Sequence, residues 1–142
     1  APQIRYPDCY GIDMAKLEDF IAFRAALALH KDRNTMNVVE GIYKKCLSQL
    51  ASKDADVVNY VTEFYAPFTV EEISAKIGEL LTGPEIKAEV EIVYQTIENL
   101  HLACPENLGD WYFTGDYPTP GGNRVVNRAF VNFFEGKNER AY

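Results

Sequence analysis

Long apolar runs are missing from this chain: no stretch of about 18 or more apolar residues exists, and Ala1–Tyr10 lacks the basic-then-apolar pattern of a secretion signal. No membrane-spanning helix is expected, and the protein reads as soluble and cytoplasmic. Cysteine is scarce. Cys9, Cys46 and Cys104 are widely spaced and odd in number, which argues against a disulfide framework and against a self-contained four-cysteine metal site. Positive charge is in deficit, with 14 Lys and Arg against 21 Asp and Glu, a net charge of -7 and a pI near 4.8. Nucleic acid and anionic membranes are therefore not expected as partners. Neither Gly-x-Gly-x-x-Gly nor Gly-x4-Gly-Lys-Ser/Thr occurs, so the common phosphate-cradling loops are absent too. No initiator methionine precedes Ala1, which suggests a segment cut from a longer polypeptide.

What is present is apolar material at helical spacing. Hydrophobic residues make up 47% of the 142, enough to build a core. Residues Ile4 to Ile12 hold a proline, a glycine and β-favouring residues and read as a short extended piece. From Asp13, a suitable cap, Met14, Leu17, Ile21, Ala25 and Ala28 recur at helical spacing, with Phe20, Phe23 and Leu27 widening the stripe. The polar run Lys31–Asn34 ends that helix. Asn37 with Glu40 offers a capping arrangement for a second one, lined by Val39, Ile42, Cys46 and Leu50. A third, shorter helix is expected after Ser52-Lys53-Asp54, carried by Val57, Val61 and Phe64 and stopped by Pro67.

Thr69 and Glu72 form the clearest capping box, opening a helix whose Val70, Ile73, Ile77 and Leu80 face one way. Gly83-Pro84 then breaks it and starts a fifth, in which Ile86, Val90, Val93, Ile97 and Leu100 fall at alternating steps of four and three. This is the strongest periodic signal in the chain. After Cys104-Pro105, an ordered loop is expected through Gly122, where Trp111, Tyr112, Phe113 and Tyr117 are too many large rings to leave in water. A last short helix over Arg124–Glu135 is apolar on two faces, which hints at a contact beyond the chain.

Candidate chemistry is thin. His30 and His101 each lie near the end of an expected helix, where a cationic side chain is favoured, and read as capping or surface groups rather than catalysts. Neither belongs to a His-x3-His pair, so a histidine-built zinc site has little support. Glu71-Glu72, Glu89 with Glu91, and Asp54 with Asp56 read as solvated helix faces. Gly121-Gly122-Asn123-Arg124 reads as a turn and helix start rather than an anion site. Cys9 and Cys104 have no adjacent basic or histidine residue, and Cys46, beside Lys44-Lys45, falls on a buried stripe; all three read as inert thiols. No catalytic, cofactor-binding or metal-ligating residue is assigned.

Two stretches resemble landmarks of one family. Tyr6-Pro7-Asp8-Cys9-Tyr10-Gly11-Ile12-Asp13, followed by Met14 and by Glu18-Asp19-Phe20-Ile21-Ala22, is similar to the end of the phosphoribosyltransferase domain of the glutamine-dependent amidophosphoribosyltransferases, where Pro-x-x-Tyr-Gly-Ile-Asp precedes a helix rich in Glu-Leu-Ile-Ala. Phe113-Thr114-Gly115-Asp116-Tyr117-Pro118-Thr119 resembles the Phe-Thr-Gly-Lys-Tyr-Pro-Thr segment near the C-terminus of many members. The two occur in the family's order and cover a small part of the chain.

The resemblance implies a parent enzyme that makes phosphoribosylamine from phosphoribosyl pyrophosphate and glutamine at the entry to purine synthesis, with magnesium as its metal and a homo-oligomeric assembly. Neither of that family's active sites has a counterpart in these residues: Ala1 is no nucleophile, and the acidic loop that cradles the ribose phosphate is missing. Some members carry a four-iron cluster. Here Asp8 stands at the first ligand position, Cys9 is one place late and Gly109–Tyr112 holds no cysteine, so no iron–sulfur cluster is expected. The expected fold is mainly α, five to six helices in a bundle. Residues 1–13 would end the phosphoribosyltransferase domain, 14–104 would form the helical domain and 105–142 an aromatic arm. The partner would be the rest of the parent polypeptide, and the segment alone would be inactive. The competing expectation is a noncatalytic helical interaction module with an aromatic docking tail.

Overall fold

The computed structural model describes residues 1–7, 14, 16–53, 55–107 and 109–142. Among them the chain is mainly helical and contains no strand: a 3-10 turn at Leu17–Asp19 precedes α1 (Ile21–Asp32), α2 (Met36–Ala51), α3 (Thr62–Tyr65), α4 (Val70–Leu81), α5 (Ile97–Ala103), α6 (Trp111–Thr114) and α7 (Pro120–Phe134). α1 packs chiefly on α4, and α2 on α7. Residues from both 14–104 and 105–142 share one core.

Its centre is aromatic. Phe64, on the single turn α3, stacks on Phe23 of α1 with ring centroids 4.9 Å apart and meets Phe130 of α7 edge-on at 5.5 Å. Phe133 closes on the far side of Phe23, also at 4.9 Å. Each such pair adds about 0.5–1.5 kcal/mol beyond the area it buries.

The expected stripes on α1, α2 and α4 are buried at Phe23, Ala25, Val39, Ile42, Cys46, Ile73 and Ile77. α4 opens on the expected capping box: Thr69 Oγ1 accepts from the Glu72 N–H at 3.1 Å, and Glu72 accepts from the Thr69 N–H at 2.8 Å. The same Glu72 pairs with Arg33. Lys76 of α4 bonds Asp32 at the end of α1, 2.8 Å away.

Several expected elements differ. Helix formation before α1 is interrupted, because Phe20 is extended (φ -88°, ψ 116°) and separates the 3-10 turn from Ile21. Asp13, the expected cap, lies outside the described residues, as do Asp8–Ile12 of the first landmark and Asp54. α2 starts slightly earlier than Asn37 implies, with Thr35 at its N-cap position and no side-chain cap. The third helix is only one turn long. Its approach, Val57–Tyr60, is held irregular by side chains that take its backbone groups: Asn123 donates to the Val57 carbonyl at 2.7 Å, Asn127 donates to the Val58 carbonyl at 2.8 Å, and Asn127 accepts from the Tyr60 N–H at 3.2 Å. Those bonds replace the ones a helix would supply.

The largest correction concerns the fifth helix. Residues 86–96 carry no helix, and only Ile97–Ala103 is helical, capped by Thr96 accepting from the Asn99 N–H at 3.1 Å. Val90 is 40% exposed and Val93 81% exposed, so the four-and-three stripe faces no common neighbour. Glu89-Val90-Glu91-Ile92-Val93-Tyr94 also alternates, and the alternation wins: Ile92 and Tyr94 pack on the core while Glu91 and Val93 face outward. β-branched Val90, Ile92 and Val93 favour that extended form.

α7 is longer than expected, a 15-residue helix with Pro120 in its first turn and Thr119 as its cap. Gly121-Gly122-Asn123-Arg124 therefore lies within its first two turns rather than before it. Both apolar faces are covered inside the chain: Val126, Ala129, Phe130 and Val131 are buried, and Phe133 and Phe134 pack against the core.

Candidate functional site

Tyr6-Pro7, the described part of the first landmark, meets the second in space. Residues Gln3–Pro7 pass beside α6 with a bend at Tyr6, where the successive N–H groups of Arg5 and Tyr6 both donate to the Tyr112 carbonyl, at 2.8 and 3.1 Å. Two phenols clamp the same segment. Tyr65 donates to the Arg5 carbonyl at 2.8 Å, and Tyr117 donates to the carbonyl of Pro7, 110 positions away in sequence. The Tyr6 ring lies buried edge-on to Tyr65, with centroids 5.4 Å apart.

α6 is a single helical turn where a loop was expected, and it ends at Gly115, whose φ of +79° lies in the left-handed region. A side chain there is excluded twice over. Besides the backbone preference, a Cβ would sit 2.8 Å from the Tyr6 ring and 2.9 Å from the Asn59 amide. Asn59 is itself buried and donates to the Gly115 carbonyl at 3.0 Å. Gly122 serves the neighbouring contact, because a Cβ on it would come within 2.4 Å of Tyr117.

The chemistry of this junction is that of a clasp. Burial raises the Tyr6 and Tyr65 phenols well above their ordinary values, so both stay neutral and act as hydrogen-bond groups. Gln3 extends the clasp to α4, donating to the Val70 carbonyl and to Ser74 Oγ, each at 3.0 Å.

His30 overturns its expected capping or surface role. It is fully buried, packed on Phe64 and Phe68 with centroids 4.9 and 4.7 Å away. Nε2 lies 2.8 Å from the Phe64 carbonyl, which can only accept, so Nε2 carries the proton and Nδ1 faces the Thr35 hydroxyl at 2.8 Å. Desolvation lowers its pKa, against the opposing effect of the Phe64 carbonyl bond. His101 is exposed near the end of α5 and pairs with Asp110 at 2.8 Å, tying α5 to the start of α6.

The remaining candidates stay apart. Burial pushes the Cys46 thiol up to about 12, and Cys104 is exposed. Cys9 lies outside the described residues. Among the described residues no group of three or more His, Cys, Asp or Glu side chains is arranged to hold a metal ion. Glu71, Glu89, Glu91 and Asp56 are exposed. Asn127, absent from the sequence expectations, is the most heavily used polar side chain of the core. Besides its two backbone partners it donates to Gln49 at 2.9 Å and accepts from the Cys46 thiol at 3.5 Å. Its signal in the sequence is an asparagine on the same helical face as Asn123, inside an otherwise apolar stripe.

A groove of about 840 Å³ runs between α4 and residues 89–94 and meets the clasp at Val70 and Ser74. Fold and site together define a helical scaffold clasped by its N-terminal segment. No family model, curated protein or solved structure matches this chain. No helix among the described residues is long and apolar enough to cross a membrane.

Proposed function

We propose that the chain is the C-terminal structural segment of a cytoplasmic amidophosphoribosyltransferase, bracing that enzyme's phosphoribosyltransferase part without contributing catalytic groups. One observation supports this reading above the others. Tyr6-Pro7, the only described part of the first landmark, bonds to the second through the Pro7 carbonyl and the Tyr117 hydroxyl and approaches it again at Gly115; Tyr10-Gly11-Ile12-Asp13 of that landmark lies outside the described residues. In this role the helices hold the last strand-like residues of the catalytic part, and magnesium and both substrates bind in polypeptide upstream.

The test compares the isolated 142-residue chain with the complete gene product. Glutamine-dependent release of pyrophosphate from phosphoribosyl pyrophosphate is expected from the complete product and not from the isolated chain. Phosphoribosylamine made by the chain alone, or a gene without a phosphate-cradling loop upstream of Tyr6, overturns the proposal.

A second reading, a noncatalytic interaction module, is favoured by the exposure of Leu81 (53%), Val93 (81%) and Leu102 (80%). Its docking surface is then this stretch rather than the aromatic tail, where Trp111, Tyr117, Phe130, Phe133 and Phe134 pack in or against the chain's own core.

A further inference from the structure

Residues 87–94 are neither helix nor paired strand, with a bend at Ala88 and exposure alternating from Glu91 to Tyr94, and among the described residues none of their N–H or C=O groups bonds to another backbone group. The first such bond beyond them is from the Gln95 N–H to the Ala1 carbonyl, at 3.3 Å. An alternating segment with an unpaired backbone is the template that an added strand completes. Beside it lies the groove, whose apolar lining includes Val70 and Ala75 of α4 together with Val90 and Val93. Its charged lining is Glu71, Glu89 and Glu91, and no lysine or arginine borders it.

We propose that this groove binds an extended, lysine- or arginine-bearing segment of a partner protein, which pairs as a strand with residues 87–94. Backbone bonds supply the register. Apolar residues of the partner cover Val90, and its cations, on the opposite face of the added strand, meet Glu89 and Glu91, with Glu71 beside them. Charge decides against a second copy of this chain as occupant. A second copy would bring the Glu71, Glu89 and Glu91 of one groove up to those of another, between two molecules each carrying a net charge of -7, and Lys87 is the segment's one cation to set against them. The proposal does not depend on the enzyme reading, since it uses only this chain's own surface.

The probe is a fluorescent octapeptide of alternating lysine and valine, titrated into the purified chain and followed by anisotropy. It is expected to bind at least tenfold more tightly than the glutamate–valine counterpart, with an affinity that falls as salt rises. Glu89→Lys combined with Glu91→Lys, both at exposed positions, is expected to reverse that order. Backbone pairing is tested on the peptide, so that folding of the protein is untouched. Methylating the backbone nitrogens of odd residues in one lysine–valine peptide and of even residues in another is expected to abolish binding for one and spare the other, because a strand pairs along one edge. The proposal is overturned by equal binding of the lysine and glutamate peptides, by indifference to the double charge reversal, or by equal binding of both methylated peptides. A chain that dimerises through this groove in sedimentation, blocking the probe, overturns it in favour of self-association.

Discussion

Residues 85–104 and 111–134 are both rich in apolar side chains, and they end in opposite environments. The later stretch delivers Tyr117, Val126 and Phe130 to the core, while the earlier one leaves Ile86, Val90, Val93 and Leu102 in solvent. Spacing of apolar residues does not separate them. What does is whether another element offers a matching face. α7 finds α2 and the ring cluster around Phe64, whereas α5 has no buried residue at all. Periodicity thus states what a segment can bury, and the partner decides whether it does.

Four measurements break or sharpen that contrast. Phe64→Ala removes the ring on which α1, α3 and α7 converge and is expected to cost about 3–5 kcal/mol, read by chemical denaturation. Loss under about 1 kcal/mol would place the core elsewhere. Asn127→Ala removes a buried side chain that bonds the partly buried Tyr60 N–H and Val58 carbonyl, with an expected cost of about 1–3 kcal/mol by the same method.

Acid acts next, through one ring. Because burial lowers the His30 pKa from 6.5, the unfolded chain binds a proton there that the folded chain resists. This contribution to stability is complete above about pH 6.5 and is lost as pH falls from there toward the folded value. A melting temperature that declines through this window, and a flatter profile in His30→Gln, are expected. Glu72, held low by its bond to the Thr69 N–H and by Arg33, responds only at more acid pH, below its ordinary 4.5. Smallest of all is Leu102→Ala on α5, where the side chain is 80% exposed and the expected change is within about 0.5 kcal/mol. A larger loss would mean that α5 is covered in solution.

The helices with one apolar face and a local start signal were legible in the sequence. α4 announces itself through Thr69 and Glu72, and α2 through Val39, Ile42 and Cys46. The extended run at 86–96 was not, because its residues satisfy a helical and an alternating pattern at once. Only the absence of a neighbour for Val93 separates the two. The clasp was half legible: Gly115 and Tyr117 stood out as a motif, but their contact with Tyr6 and Pro7 depends on the folded path. Asn59 and Asn127 carry no periodic signal in the sequence, and His30 reads there as a capping or surface group, because a buried polar side chain follows no period. Its role comes from carbonyls and amides that distant segments leave unpaired.

The grip on the N-terminal segment works largely through main-chain atoms, the amides of Arg5 and Tyr6 and the carbonyls of Arg5 and Pro7. Atoms of that kind are common to nearly every amino acid. Apart from the buried Tyr6 ring and the Gln3 amide, the slot specifies a route more than a spelling, so its memory resides largely in the tyrosines that do the holding.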